Sequence, residues 1–187
     1  VAGVVVEPLV QGAGGILVHP EGFLKGVSEL AEKYGVLLIV DEVATGFGRT
    51  GKMFACENEG VEPDMMCLAK GISAGYLPLA ATMTSDKIFD AFLGEAAEQK
   101  TFYHGHTYTG NALGCAAGIA SLELFEENKI IESLPEKVAI YDEYFAKFRE
   151  LDYVGDARHA GLMGAVEIVK DKETKESFAA SELAGAK

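Results

Sequence analysis

The sequence predicts an α/β fold built on a largely parallel sheet, and three observations carry that expectation. Apolar runs over 36–40 and 65–69 each stop at a charged residue, Asp41 and Lys70, as buried strands do when they reach the rim of a sheet. A segment with helical spacing separates the first of these from another apolar run at the start of the chain, so the opening reads β-α-β, with parallel strands and a right-handed crossover. Two long helical patterns follow in the second half.

Taken in order, residues 1–6 form a strand that ends at Glu7 and Pro8, followed by the glycine-rich loop Gln11, Gly12, Ala13, Gly14, Gly15. Phe23, Leu24, Val27, Leu30 and Ala31 give residues 20–34 a helical face, and Gly35 ends that helix. The strand over 36–40 follows at once. Residues 45–52 hold too much glycine for a helix interior and are expected to form a loop beside the site. Pro63 and Asp64 lead into the strand that delivers Lys70, and residues 79–84 read as another strand. Ser85 and Asp86 are placed to cap a short helix to about residue 93. The helix over 111–127 is apolar on most sides at its start and acidic at its end. An amphipathic helix over 135–150, strands over 153–158 and 162–169, a charged run over 170–176 and the start of a helix over 184–187 complete the chain. A domain change is expected near Glu126, dividing a large cofactor-binding domain (1–125) from the start of a small α+β domain (126–187). The chain opens without Met inside a strand and stops in a helix start, so both domains are expected to be incomplete, the first at its N-terminus and the second at its C-terminus.

The chain has 187 residues, 49% hydrophobic and 24% charged, which is enough to bury a core. Its net charge of -13 argues against nucleic acid or an anionic membrane as partner and leaves small molecules. No run approaches the roughly 20 apolar residues of a membrane span, and no signal-peptide pattern opens the chain, so the cytoplasm is the expected location. Cys56, Cys67 and Cys115 are odd in number and lack metal or redox spacing, and are read as reduced packing residues.

An acid and a lysine at neighbouring strand ends suit a ligand bound outside the carboxyl edge of the sheet. Pyridoxal 5'-phosphate (PLP) needs both: a lysine amine for its aldehyde and a carboxylate to keep its ring nitrogen protonated. Read one at a time, Asp41 is equally a turn cap and Lys70 a solvated loop cation.

The stretch from Asp41 to Gly51 (DEVATGFGRTG), repeated in kind by Leu68 to Gly71 (LAKG), resembles the class III aminotransferases, which are fold-type I PLP enzymes. The opening strand with Glu7 and Pro8 and the loop from Gln11 to Gly15 are similar to the family's segment before the cofactor aspartate, and the resemblance extends over almost the whole chain. It implies a fold-type I transferase of which this is the later part of the large parallel-sheet domain plus the start of the small one. It makes Lys70 the catalytic, Schiff-base lysine, Asp41 the partner of the ring nitrogen and Val43 the side chain against one ring face. The segment from Tyr103 to Asn111 (YHGHTYTGN) resembles the part that reaches the other subunit, where Thr107 and the backbone at His106 hold the cofactor phosphate; hydroxyls and amides suit a phosphate. Lys70, Gly105 and Glu7 are implied on the substrate side. The implied assembly is a homodimer with shared sites, and the implied ligands are an amino donor and a keto acceptor. HGHTYTGN, Ala44 and the segment from Arg158 to Glu176 are most similar to the biotin-synthesis branch, which aminates 8-amino-7-oxononanoate to 7,8-diaminononanoate with S-adenosylmethionine or lysine as donor. Another class III ω-amino acid aminotransferase is the enzymatic alternative.

Three further readings compete with this one. Residues 37–42 imitate a magnesium-holding strand and residues 46–52 nearly complete a phosphate loop, but Met53 stands where a hydroxyl is required. His104 and His106 invite a metal reading, yet alternate residues of an extended chain point opposite ways and no third ligand has metal spacing, so no metal is expected. A catalytically inactive pyridoxal-fold piece that only binds partners is the non-enzymatic alternative, since the upstream Gly-Ser phosphate loop, the stacking aromatic and the downstream carboxylate-binding arginine of the family are absent.

Overall fold

The computed structural model describes residues 1–182 and 184–186, so the expected helix start over 184–187 is seen as a 3-10 turn at Ala184–Ala186, and Lys187 lies outside the described residues. Strand β1 (Gly3–Val6) leads through two short strands, β2 (Val10–Gln11) and β3 (Leu17–Val18), to helix α1 (Phe23–Tyr34) and strand β4 (Leu37–Asp41). β2 and β3 pair antiparallel and turn the expected glycine-rich loop into a small hairpin. β5 (Met65–Leu68) and β6 (Ala81–Thr84) complete a four-stranded sheet in the order β1-β4-β5-β6.

β1, β4 and β5 run parallel, whereas β6 returns antiparallel to β5. The physical reason is the connection: a parallel return usually needs a crossover helix, and residues 69–80 hold only a 3-10 turn (Lys70–Ser73) before Pro78. α1 lays Leu24, Val27 and Ala31 over Leu38 and Val40 of β4, with Cys56 and Val61 closing the same cluster. It ends at Gly35, whose N–H bonds the Ala31 and Glu32 carbonyls. β1 is the outer strand of this sheet, and Val4 and Val5 are exposed on it.

α2 (Asp86–Asp90) is shorter than the sequence suggests. It buries no residue, and a short helix without a packed face is marginal, so the chain leaves the helix in isolated turns through Leu93. The Ser85 hydroxyl does not cap it and has no partner among the described residues; the Ile88 and Phe89 N–H groups bond the Ser85 carbonyl instead.

α3 (Ala112–Glu127) begins where Asn111 Oδ1 accepts from the Leu113 and Gly114 N–H groups at 2.9 and 3.3 Å. α4 (Leu134–Arg149) packs Phe145 on Val154 and Ala157 of β7 (Val154–Ala160). β7 pairs antiparallel with β8 (Met163–Asp171), which pairs with β9 (Glu176–Ser177). The expected charged run thus becomes the end of a strand and a tight turn, in which Asp171 Oδ1 accepts from the N–H and hydroxyl of Thr174 at 2.7 and 2.8 Å.

The β7–β8 turn touches the first half of the chain. Gly161 has φ +58°, and a Cβ there would stand 2.5 Å from the Thr50 carbonyl carbon, while the next N–H, of Leu162, donates to Arg49 O at 2.8 Å. Gly161→Ala is therefore expected to lower stability by about 1–3 kcal/mol, because backbone faces the added methyl and must shift. Thermal denaturation of the variant checks it, and an unchanged midpoint would contradict the contact.

Candidate active site

The register of the parallel strands brings the expected groups to one edge. Asp41 pairs with Cys67, and the Glu42 N–H donates to Cys67 O at 3.0 Å, so β4 and β5 end level with each other. Lys70 follows three residues after Cys67, at the carboxyl edge, with an exposed side chain. Asp41 Oδ1 accepts from the Val43 N–H at 3.0 Å, which turns the chain immediately after the acid and leaves Oδ2 free of protein donors among the described residues. Glu7 leaves β1 at the same edge, and its Oε2 accepts from the Gly12 N–H at 2.8 Å.

Lys70 sits in the left-handed region at φ +47°, a conformation that costs a non-glycine residue on the order of 1–2 kcal/mol. Three contacts hold it there. The Ile72 N–H donates to Ala69 O at 3.2 Å, and Ser121 Oγ of α3 donates to Gly71 O at 3.2 Å. Beneath the turn lies Phe47: a Cβ on Gly71 would stand 2.5 Å from the Phe47 Cβ, so only glycine lets the lysine turn rest there. Phe47 is itself at φ +59°, buried, and packed edge-on to Phe54 and Phe125 at 5.7 and 6.2 Å between centroids.

Glu42, next to Asp41, plays a part that residue type and spacing did not reveal. It is fully buried, and its carboxylate accepts from Thr45 Oγ1 at 2.5 Å and from the Cys56 N–H at 2.9 Å. A buried carboxylate is tolerated when donors satisfy it, and these two fasten both ends of the loop that carries Phe47. The signal was the Glu42-to-Thr45 spacing, which is common enough to carry little weight alone.

The segment with Gly105, His106 and Thr107 is exposed, and no hydrogen bond ties it to Asp41, Val43 or Lys70 among the described residues. The His106 N–H donates to Thr109 Oγ1 at 2.8 Å. His106 lines an open apolar groove of about 780 Å³ with Pro78, Leu79, Tyr108 and Asn111. The rings of His104 and His106 meet edge to face at 5.5 Å instead of pointing apart, because this segment is irregular and not a strand. No group of three metal-ligating side chains gathers among the described residues.

Parallel strands whose carboxyl edge carries Asp41, with Lys70 just beyond it over a glycine–phenylalanine floor, make a candidate ligand site on an α/β fold. The class-III aminotransferase family model matches residues 1–185, and the chain belongs to that family. It is 57% identical over 99% of its length to the adenosylmethionine-8-amino-7-oxononanoate aminotransferase of Geobacter sulfurreducens, and covers 41% of that protein. The crystal structure of the enzyme of that name from Methanocaldococcus jannaschii superposes with a TM-score of 0.93 at 48% identity, over 97% of this chain and 42% of that one. A taurine:2-oxoglutarate aminotransferase from Bifidobacterium kashiwanohense, solved in complex with PLP and glutamate, has a TM-score of 0.84 at 41% identity, over 94% of this chain and 38% of that one. The chain thus spans about two fifths of the length of its relatives.

The donor set fits PLP on this structure's own terms: a carboxylate oxygen without a protein donor and an exposed amine lie at the ends of adjacent strands. Two consequences are measurable. Gly71→Ala should lower stability by about 1–3 kcal/mol and displace the lysine turn, seen as a lower denaturation midpoint and faster hydrogen exchange over 69–74. Burial, reinforced by the neighbouring Glu42 carboxylate, pushes the Cys56 thiol up to about 12. The unfolded thiol ionises first, at about 8.5, so this site's contribution to stability is complete below that pH and is lost as pH rises towards 12. Iodoacetamide at pH 9 should leave Cys56 unmodified in the folded protein and label it after denaturation, as read by mass spectrometry.

Proposed function

We propose that these residues form the lysine-bearing part of a PLP-dependent aminotransferase that converts 8-amino-7-oxononanoate to 7,8-diaminononanoate in biotin synthesis. The observation that carries this reading is the delivery of Asp41 and Lys70 by paired strands, within a chain so close to enzymes named for that substrate. The donor is S-adenosylmethionine, as in the relatives' name, or lysine. The division of the chain into a cofactor-binding part (1–125) and the start of a smaller part (126–187) belongs to the same proposal. It is supported by the end of α3 at Glu127 and the separate sheet that follows. So does a cytoplasmic location; no described helix is long and apolar enough to cross a membrane.

When bound, PLP supplies an electron sink for the pair released at the reacting carbon. Asp41 holds a proton on the cofactor's ring nitrogen through its free oxygen. Val43 packs on one ring face. Lys70 would hold the cofactor through its amine and, with that amine free, would serve as the base that takes the proton from the substrate carbon and returns it. Exposure of Lys70 leaves its amine able to reach either partner, while Phe47 and Ser121 fix the backbone from which it reaches. Glu7 and Gly105 line the substrate side. Thr107 and the His106 N–H serve the phosphate of the neighbouring subunit's site in a homodimer, a reading supported by the exposure of that segment and its lack of bonds to this chain's own lysine turn. Over the cycle the donor loses its amino group and becomes a carbonyl compound, and the acceptor ketone gains that group.

The test uses the whole protein loaded with PLP. Borohydride reduction and peptide mapping should place the cofactor on Lys70, and the protein should aminate 8-amino-7-oxononanoate, with Asp41→Asn slowing proton removal by about 10²–10³-fold while cofactor is retained. A label on Lys52 or Lys87 would overturn the site. Transfer of amino groups from ω-amino acids to a keto acid, with no amination of 8-amino-7-oxononanoate, would overturn the substrate and leave the class.

A further inference from the structure

Arg158 lies on β7, far in sequence from the site, and its guanidinium is bonded on both flanks. Across the β7–β8 ladder Asp156 stands opposite Glu167, and like charges so placed repel. Arg158, two residues on from Asp156 and on the same face, puts Nη1 between them, donating to Asp156 Oδ2 at 2.6 Å and Glu167 Oε2 at 3.1 Å. The other edge of the fork leaves the hairpin. Nε donates to Ile16 O at 2.8 Å and Nη2 to Gly15 O at 2.7 Å.

Those carbonyls belong to the turn between β2 and β3, which the backbone alone would not favour. Ile16 is β-branched yet has φ +55°, beside Gly15 at +110°, and such a conformation persists only where surroundings over-determine it. The turn is held from inside by the Gly15 and Ile16 N–H groups on Gly12 O, both at 3.1 Å. From the site side it is held by the Gly12 N–H on Glu7. Gly12 also abuts the loop after Asp41: a Cβ there would lie 3.3 Å from Glu7 Oε2 and 3.7 Å from Ala44 Cβ. The turn is therefore wedged between Arg158 and the strand ends that carry Glu7 and Ala44.

We propose that Arg158 is a positioning residue for the substrate side of the site, acting through the Gly15 and Ile16 carbonyls on the turn that Gly12 ties to Glu7. The link to substrate rests on the function proposed above, which puts Glu7 on the substrate side; the link to the turn does not. A lysine could still sit between Asp156 and Glu167 but lacks a planar fork to span two carbonyls, so the arginine is specifically required.

In the whole, PLP-loaded protein, Arg158→Met and Arg158→Lys are compared with the parent by hydrogen exchange over 11–18 and by acceptor kinetics. Exchange over 11–18 should speed up in both. The acceptor KM should rise by about tenfold in Arg158→Met, the scale for losing charge-assisted hydrogen bonds, with kcat and the bound-cofactor absorbance little changed. Unchanged exchange over 11–18 in either folded variant overturns the proposal. Faster exchange with an unchanged KM, or a fall in kcat alone, overturns its link to substrate. If the parent protein transfers no amino group, the functional reading fails, and exchange still judges the turn by itself.

Discussion

The parallel pairing of β4 with β5 governs the geometry of the whole site. Side chains alternate along a strand, so a slip of one residue in this register would turn Asp41 to the other face and move Lys70 along the edge. Val40 and Leu68, buried near the ends of the two strands, make such a slip expensive, because each would leave the core. Asp64 reinforces the alignment at the other end: its carboxylate accepts from the Leu38 N–H at 2.8 Å and its own N–H donates to Leu38 O at 2.9 Å.

On that frame Lys70 is held by packing more than by its own strand. Lys70 lies beyond the last β5 residue, in a left-handed conformation that the ladder does not impose. Phe47 closes the space below Gly71, α3 bonds the Gly71 carbonyl, and Glu42 anchors the loop from which Phe47 projects. Local strain of this kind persists only where rigid neighbours hold it, and here they fix the backbone from which the Lys70 side chain projects. Burying Glu42 is acceptable in this scheme because its two donors come from the segments it must join.

A second layer of control runs between the two halves of the chain. The β7–β8 hairpin meets the first half twice, at Gly161 against Thr50 and at Arg158 against the β2–β3 turn. Both contacts fall on loops leading from the carboxyl edge of the sheet, and the one at Thr50 lies on the loop that carries Phe47.

Much of this was legible in the residues themselves. Apolar runs stopped by Asp41 and Lys70 identified the strand ends, because a buried strand must be apolar until it reaches solvent. Asn111 and Pro135 marked the starts of α3 and α4 to within a residue or so, because caps and helix-starting prolines act locally. Where the outcome depended on partners distant in sequence, the residues alone were insufficient. The antiparallel return of β6, the early end of α2, the meeting of His104 with His106 and the role of Glu42 all followed from what packs nearby. Residue types therefore determined the elements and the chemical groups at the strand ends, through periodicity and local capping. Tertiary structure decided how those groups are held, since the contacts of Phe47 with Gly71, Ser121 with Gly71 and Arg158 with Ile16 join segments 24, 50 and 142 residues apart, and no local pattern encodes which segments meet.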